Sequence, residues 1–176
     1  MKVLIMVENG VAESEFIYPY YRLQEEGYEV VIVGPKGKET YTGKHGIPFK
    51  SDLASRDVNI NDFVAVIIPG GRAPDRMRLD KDLIRILKEA NEKEKVIAAI
   101  CHGPQMLIEA DLLHDKDATC WKSVATDLKN AGANFSDASV IVDENLVTSR
   151  HPGDLPNFCR EIIKILNKQR NPNSTT

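Results

Sequence analysis

At 176 residues, with 42% hydrophobic side chains, the chain is long enough for one compact domain with a substantial core. A net charge of −3, with acidic and basic residues interspersed, leaves no electrostatic footprint for nucleic acid or an anionic membrane surface. No apolar run approaches the roughly 20 residues that span a bilayer, and Met1-Lys2 leads straight into a short apolar strand rather than a signal peptide, so a soluble, cytoplasmic protein is expected.

Lys2 to Val7 reads as a first buried strand, followed by a loop from Glu8 to Ser14 that contains Gly10. Ser14 is a candidate cap for a helix running to about Glu26, with Phe16, Tyr20 and Leu23 facing a sheet and Gly27 ending it. Pro19 lies too deep for the first helical position, so that helix either starts nearer Ile17 or bends. Glu29 to Val33 is a second strand, and the resulting β-α-β unit implies a parallel sheet with right-handed crossovers. From Gly34 to about Ile60 the pattern weakens into a small β excursion, with short strands at Tyr41-Thr42 and Pro48-Phe49-Lys50. Val64 to Ile68 is a third buried strand, ending in Pro69-Gly70-Gly71-Arg72, and Asp82 to Ala90 is a helix with Leu83, Ile86, Leu87 and Ala90 inward.

Val96 to Ile100 is a strand buried on both faces that stops at Cys101, and a helix follows from Pro104. Lys116 to Trp121 suggests a short strand and Ser123 to Ala131 a helix. Two further strands, Ser139 to Val142 and Leu146 to Ser149, are joined by Asp143-Glu144-Asn145 as a hairpin or edge addition. Asp154 caps a last helix striped by Leu155, Phe158 and Ile162. The domain is expected to occupy 1–167, leaving 168–176 as a frayed polar tail. Alternating buried strands and amphipathic helices give an α/β fold of three layers, doubly wound around a mainly parallel sheet.

Such folds bind ligands beyond the carboxyl ends of the strands, which places Glu13 to Glu15, Gly70-Gly71-Arg72 and Cys101-His102 on one edge. Cys101 occupies a strand-to-helix turn flanked by the small residues Ala99 and Gly103, the mechanics of a nucleophile elbow with cysteine in place of serine. A following helix start favours thiolate. A buried structural cysteine fits the same spacing. The three cysteines, Cys101, Cys120 and Cys159, are odd in number and include no Cys-x-x-Cys pair, which argues against a disulfide framework or thiolate metal site; neither metal nor cofactor is expected.

Thiolate attack on a carbonyl needs a proton carrier and oxyanion donors. The backbone N–H groups of Gly71 and His102 are candidates for the oxyanion hole, and Glu15 for the carboxyl beside the sulfur, although a carboxylate in the first turn of a helix is favourable in its own right. His102 adjoins Cys101 in sequence, and neighbouring side chains usually point apart, so its service as acid and base requires the elbow to curl. His45 and His114 read as exposed loop residues, while His151, beside Arg150, falls in a loop near the same edge.

Ile17-Tyr18-Pro19, Thr42-Gly43-Lys44-His45-Gly46, Pro69-Gly70-Gly71-Arg72-Ala73-Pro74, Ala99-Ile100-Cys101-His102-Gly103-Pro104-Gln105, and Ser149-Arg150 with Asp154-Leu155 closely resemble the PfpI-type intracellular proteases of the ThiJ/PfpI (DJ) superfamily. The resemblance implies a flavodoxin-like α/β/α sandwich of the class I glutamine amidotransferase type. It also implies Cys101 as nucleophile paired with Glu15, His102 as catalytic partner, and an oxyanion hole at Gly71 and His102. In PfpI-type chains an acidic residue after the Gly-Gly-Arg-Ala-Pro loop reaches the histidine of a neighbouring subunit; here that position is Asp75, shorter than the usual glutamate, and it implies a homo-oligomer, dimer or hexamer, with a shared site. Ala12 replaces a usual acidic residue, with Glu13 next door as a substitute, and Trp121 stands where the superfamily's other branch has histidine.

Related members convert methylglyoxal or glyoxal to hydroxy acids without cofactor, and deglycation has been proposed for some. The absence of a long substrate-binding insertion favours a small 2-oxoaldehyde over a polypeptide, so aldehyde conversion or deglycation ranks first and peptide hydrolysis second. A redox sensor or stress chaperone is the non-enzymatic alternative. An amidotransferase is discounted, because His151-Pro152-Gly153 lacks the glutamate of a late His-x-Glu pair. Gly70, Arg72, Glu13, Trp121, Arg150 and His151 complete the expected lining of the site.

Overall fold

Runs of valine, isoleucine and leucine build the centre of one sheet, because side chains buried on both faces need no polar alternation. The computed structural model describes residues 1–170. In chain order the elements are β1 (Lys2–Met6), α1 (Glu13–Glu25), β2 (Glu29–Gly34), β3 (Thr40–Thr42), β4 (Pro48–Lys50), β5 (Leu53–Ala54) and β6 (Phe63–Ile68). They continue with α2 (Ala73–Met77), α3 (Lys81–Glu92), β7 (Val96–Ile100), α4 (Gln105–Glu109), β8 (Asp117–Ala118) and α5 (Ala125–Asn130). β9 (Asn134–Phe135), β10 (Val140–Asp143), β11 (Leu146–Ser149) and α6 (Leu155–Arg170) complete the series.

The seven-stranded sheet has the order β10-β11-β7-β6-β1-β2-β5. Every neighbouring pair in it is parallel except β10 with β11, which form the expected antiparallel edge hairpin. β3 and β4 pair antiparallel as the small excursion after β2. α1 packs with α6, and α3 packs with α4 and against β6 and β7, giving helical layers on the sheet's two faces. This is the flavodoxin-like arrangement. The strand order steps outward from β1 in both directions, so the loops after β1 and β6 meet beside the end of β7.

Three local expectations change. α1 begins at Glu13 after Ala12, and Ser14 is not its cap: no side chain caps this end, and both Glu13 and Glu15 in its first turn are buried and point to other partners. Pro19 is carried inside α1, where its missing N–H leaves the Glu15 carbonyl without the usual helical bond. α6 continues to Arg170, three residues into the expected tail, with Asn167 accepting from the Tyr28 hydroxyl at 3.5 Å and the Arg170 guanidinium 5.7 Å from the Tyr28 ring centre. The remainder of that tail, 171–176, lies outside the described residues. Among the described residues, no helix is long and apolar enough to cross a membrane.

Candidate active site

β7 ends at Ile100, and the chain must turn at once because Ser149 of β11 still accepts the Cys101 N–H at 3.0 Å. Cys101 takes φ +64°, a left-handed conformation that costs an L-residue on the order of 1–3 kcal/mol. The turn closes through the Gly103 N–H, which donates to the Ile100 carbonyl at 2.8 Å, and the Cys101 carbonyl accepts from Trp121 at 2.9 Å. Any Cβ at Gly103 would lie 2.5 Å from the Ile68 carbonyl, so the small residue expected here is a steric requirement. The strained backbone also resolves the awkward adjacency of cysteine and histidine. The positive φ curls the turn and brings His102 Nδ1 to 3.3 Å from Cys101 Sγ.

Glu15 is only 1% exposed, and it accepts the Gly70 N–H at 2.7 Å while hydrogen-bonding the Cys101 thiol. Burial pushes its carboxyl up to about 7, against the opposing pull of the Gly70 bond, the Cys101 bond and the Lys44 charge. Burial also pushes the Cys101 thiol up to about 12, reinforced by the Glu15 charge and opposed by the N–H groups of His102 and Gly71, which are directed at the sulfur. Between these two values the pair holds one proton. On the sulfur, the proton is donated to the carboxylate; on Glu15, the repulsive charge is gone and the carboxyl donates to a thiolate already facing two N–H groups. α4 has five residues, so those two N–H groups, rather than a long helix dipole, supply the local positive potential.

Gly71 explains why this loop needs glycine: its φ is +78°, and a Cβ would lie 2.4 Å from the Gly10 carbonyl and 2.5 Å from the Ala12 nitrogen. Burial, then the Lys44 charge, holds His102 below its ordinary value, which keeps the imidazole neutral and able to accept a proton at neutral pH.

A cavity of about 930 Å³ opens over Cys101 and His102. Gly71, Arg72, Glu13, Trp121 and His151 line it, and Trp121 meets His151 edge-on at 6.3 Å. Gly70 lies behind the lining as the donor to Glu15. Asp75 is exposed at the cavity wall and makes no hydrogen bond to His102 among the described residues. Arg150 is not part of the lining. Its guanidinium is held by Asp154 at 2.9 and 3.1 Å and by Asp137 at 2.8 Å, which braces the turn from β11 into α6. Among the described residues, no group of three or more His, Cys, Asp or Glu side chains is arranged to hold a metal ion.

Lys44 and His45 enter the site although their sequence reads as an exposed loop. The β3–β4 hairpin folds back because Gly10 donates to the Thr42 carbonyl and Lys44 to the Val11 carbonyl, both at 2.8 Å. Glu13 then accepts the His45 N–H and sits 2.9 Å from His45 Nδ1. Burial opposes ionisation of Glu13, but its bonds from His45 outweigh it and hold the carboxyl below its ordinary value. Thr42-Gly43-Lys44-His45-Gly46 was visible as a motif; its contact with a carboxylate 32 positions earlier was not.

The DJ-1/PfpI family profile matches residues 1–165. The deglycase PfpI of Pyrococcus furiosus is 45% identical over 166 residues, covering 94% of this chain and 99% of that protein. A Bacillus subtilis relative, YraA, whose name assigns it provisionally to the cysteine proteases, is 44% identical over 165 residues, covering 94% of this chain and 98% of its own. Among solved structures, a two-domain Anabaena variabilis protein with DJ-1/ThiJ/PfpI-like and ferritin-like domains superposes with a TM-score of 0.93 at 44% identity; the match covers 94% of this chain and 48% of that one. The chain belongs to the DJ-1/PfpI family.

Proposed function

We propose that the chain is a cofactor-independent cytoplasmic cysteine enzyme that converts small 2-oxoaldehydes, or their adducts with amines and thiols, to hydroxy acids. The observation that carries this reading is the buried Glu15 carboxyl hydrogen-bonded to the Cys101 thiol at a strained turn, with His102 Nδ1 3.3 Å from the sulfur.

For methylglyoxal the chain's own groups suffice. With the pair's proton on Glu15, the thiolate adds to the aldehyde carbon. The carbonyl oxygen takes the proton from Glu15, within reach of the Gly71 and His102 N–H groups. His102 removes the hydrogen from the former aldehyde carbon and returns a proton to the neighbouring carbon, so the first carbon is oxidised, the second reduced, and a thioester of lactic acid results. Water cleaves the thioester, releasing lactate and returning Cys101 and Glu15 with their single proton. For a hemiaminal or hemithioacetal, whose former aldehyde carbon already bears the amine or thiol, His102 carries out the hydrogen transfer first; the thiolate then attacks the resulting acyl carbon, the bond to nitrogen or sulfur breaks, the amine or thiol leaves with the proton from Glu15, and water cleaves the lactoyl thioester. The Pyrococcus furiosus relative's name, a deglycase, supports this substrate class.

Peptide hydrolysis is the second reading, favoured by the name of the Bacillus subtilis relative. Thiolate attack on an amide carbonyl uses the same groups, but amide cleavage also requires a long chain to be seated. We further propose that the working form is a homo-oligomer in which Asp75 of a second copy orients His102.

The experiment is product analysis on methylglyoxal and on casein-derived peptides with wild type, Cys101→Ser and Glu15→Gln. Lactate from wild type and from neither variant is the expected result. Peptide cleavage without lactate, lost in the same variants, would reverse the ranking. No turnover, with peroxide oxidising Cys101 ahead of Cys120 and Cys159, would make the thiol a redox sensor.

A further inference from the structure

The cavity is large for a three-carbon aldehyde, since about 930 Å³ lies in the range of sites that hold drug-sized ligands. Its charges differ in what they offer an incoming molecule. Three acids line it, but Glu13 is occupied by the backbone and ring of His45, and Glu15 is 1% exposed and bonded to Gly70 and Cys101. Three cations also line it, Lys44, Arg72 and Arg76, all on exposed residues and none in an ion pair among the described residues. Asp75 is the one acid left open against them. Lys44 is fixed at this wall by the hairpin anchored to Val11 and Glu13, and its charge is felt by both Glu15 and His102.

The cations are side chains and not a backbone cradle. The N–H groups of Gly10, Ala12, Gly43, Lys44 and Arg72 are bonded to backbone carbonyls and that of His45 to Glu13, while those of Gly71 and His102 face the sulfur. Most loop amides at this wall are thereby occupied, which leaves the side-chain cations, with the uncapped first turn of α1 at Ser14, to meet an incoming anion, and these suffice for a singly charged carboxylate. We infer that Lys44, backed by Arg72 and Arg76, selects carbonyl substrates that also carry a carboxylate, such as a small oxo acid or the carbonyl adduct of an amino acid with its carboxylate free. This rests on Cys101 being the reacting thiol of the proposed function, and it specifies which carbonyl compounds reach it.

The test uses two alkylating reagents of nearly equal shape, iodoacetate and iodoacetamide, which react with a thiolate by displacing iodide to form a thioether. The rate ratio of the two at Cys101, read by peptide mass spectrometry, cancels thiolate content, and dividing it by the same ratio for 2-mercaptoethanol, an uncharged thiol, cancels the reagents' own reactivities. The wild type should favour iodoacetate about tenfold over the reference at low salt, with the preference falling as salt rises. In Lys44→Gln the ratio should drop by about threefold or more, and inorganic phosphate should protect Cys101 from iodoacetate no better than acetate does. A wild-type ratio equal to that of 2-mercaptoethanol, or an unchanged ratio in Lys44→Gln, overturns the inference. Stronger protection by phosphate overturns the choice of carboxylate. If the ratio behaves as expected but no aldehyde is turned over, the proposed reaction fails while the anion preference stands. Inertness of Cys101 to both reagents removes both.

Discussion

At the scale of residues, the site turns on where one proton resides. With Glu15 pushed up to about 7 and the thiol to about 12, both groups are protonated below neutrality and the reactive one-proton state fills as pH rises through about 7. His102, held below its ordinary value, loses its proton earlier and does not set this limb. The rate constant kcat/KM for methylglyoxal should therefore climb with an apparent pKa near 7. A wild-type profile flat from pH 6 to 8 would contradict the shared proton. The same burial has a stability consequence of definite sign. Glu15 keeps its proton in the folded chain from its ordinary value of 4.5 up to about 7, while the unfolded chain has released it, so stability from this group is present below about 4.5 and is lost as pH rises to about 7. The loss is on the order of 3 kcal/mol. Glu15→Gln should accordingly melt higher than wild type at pH 8 and close to it at pH 5, as thermal unfolding at the two pH values would show; equal melting at pH 8 would mean the buried carboxylate costs nothing.

Elements show how far sequence reading goes. The strands were legible because burial on both faces selects continuous Val, Ile and Leu runs, and Val96–Ile100 falls where its apolar stretch does. The elbow was legible because a turn that tight leaves a chemical trace in Ala99, Gly103 and the Gly70-Gly71 loop. Glu15 falls beside the Gly70-Gly71 loop because its own loop follows β1, next to β6 in the sheet. Three things were not legible. The φ of Cys101 depends on β11 accepting its N–H, the fold-back of Lys44 and His45 depends on Glu13, and Arg150 is held by Asp137 and Asp154 away from the cavity. Each is set by a contact that local periodicity does not encode. The hairpin yields its own prediction. Replacing Glu13 with glutamine removes the charge on which the His45 bonds rest, so amide hydrogen exchange over 43–47 should speed up by about tenfold, corresponding to the loss of roughly 1.4 kcal/mol from charge-assisted bonds, while β1 and β6 are unaffected. Unchanged exchange in that segment would show that Gly10 and Val11 suffice to hold it.

For the whole molecule, the sheet brings the loops after β1, β6 and β7 to one edge, and Asp75 is exposed at the wall of the cavity there. The proposed oligomer uses that exposure, with Asp75 of a second copy completing His102. Asp75→Asn should lower kcat without changing the oligomeric state by light scattering, and a variant that dissociates the oligomer should lose activity to a similar degree while remaining folded by circular dichroism. Full turnover in a folded monomer would remove Asp75 from the reaction. All of this chemistry requires that one of three buried cysteines, Cys101, be the nucleophile. The direct measurement is lactate formation from methylglyoxal by wild type, Cys101→Ser, Cys120→Ser and Cys159→Ser at equal folded concentration. Background turnover is expected in Cys101→Ser alone, with wild-type rates in the other two. Turnover that survives in Cys101→Ser would contradict that assignment.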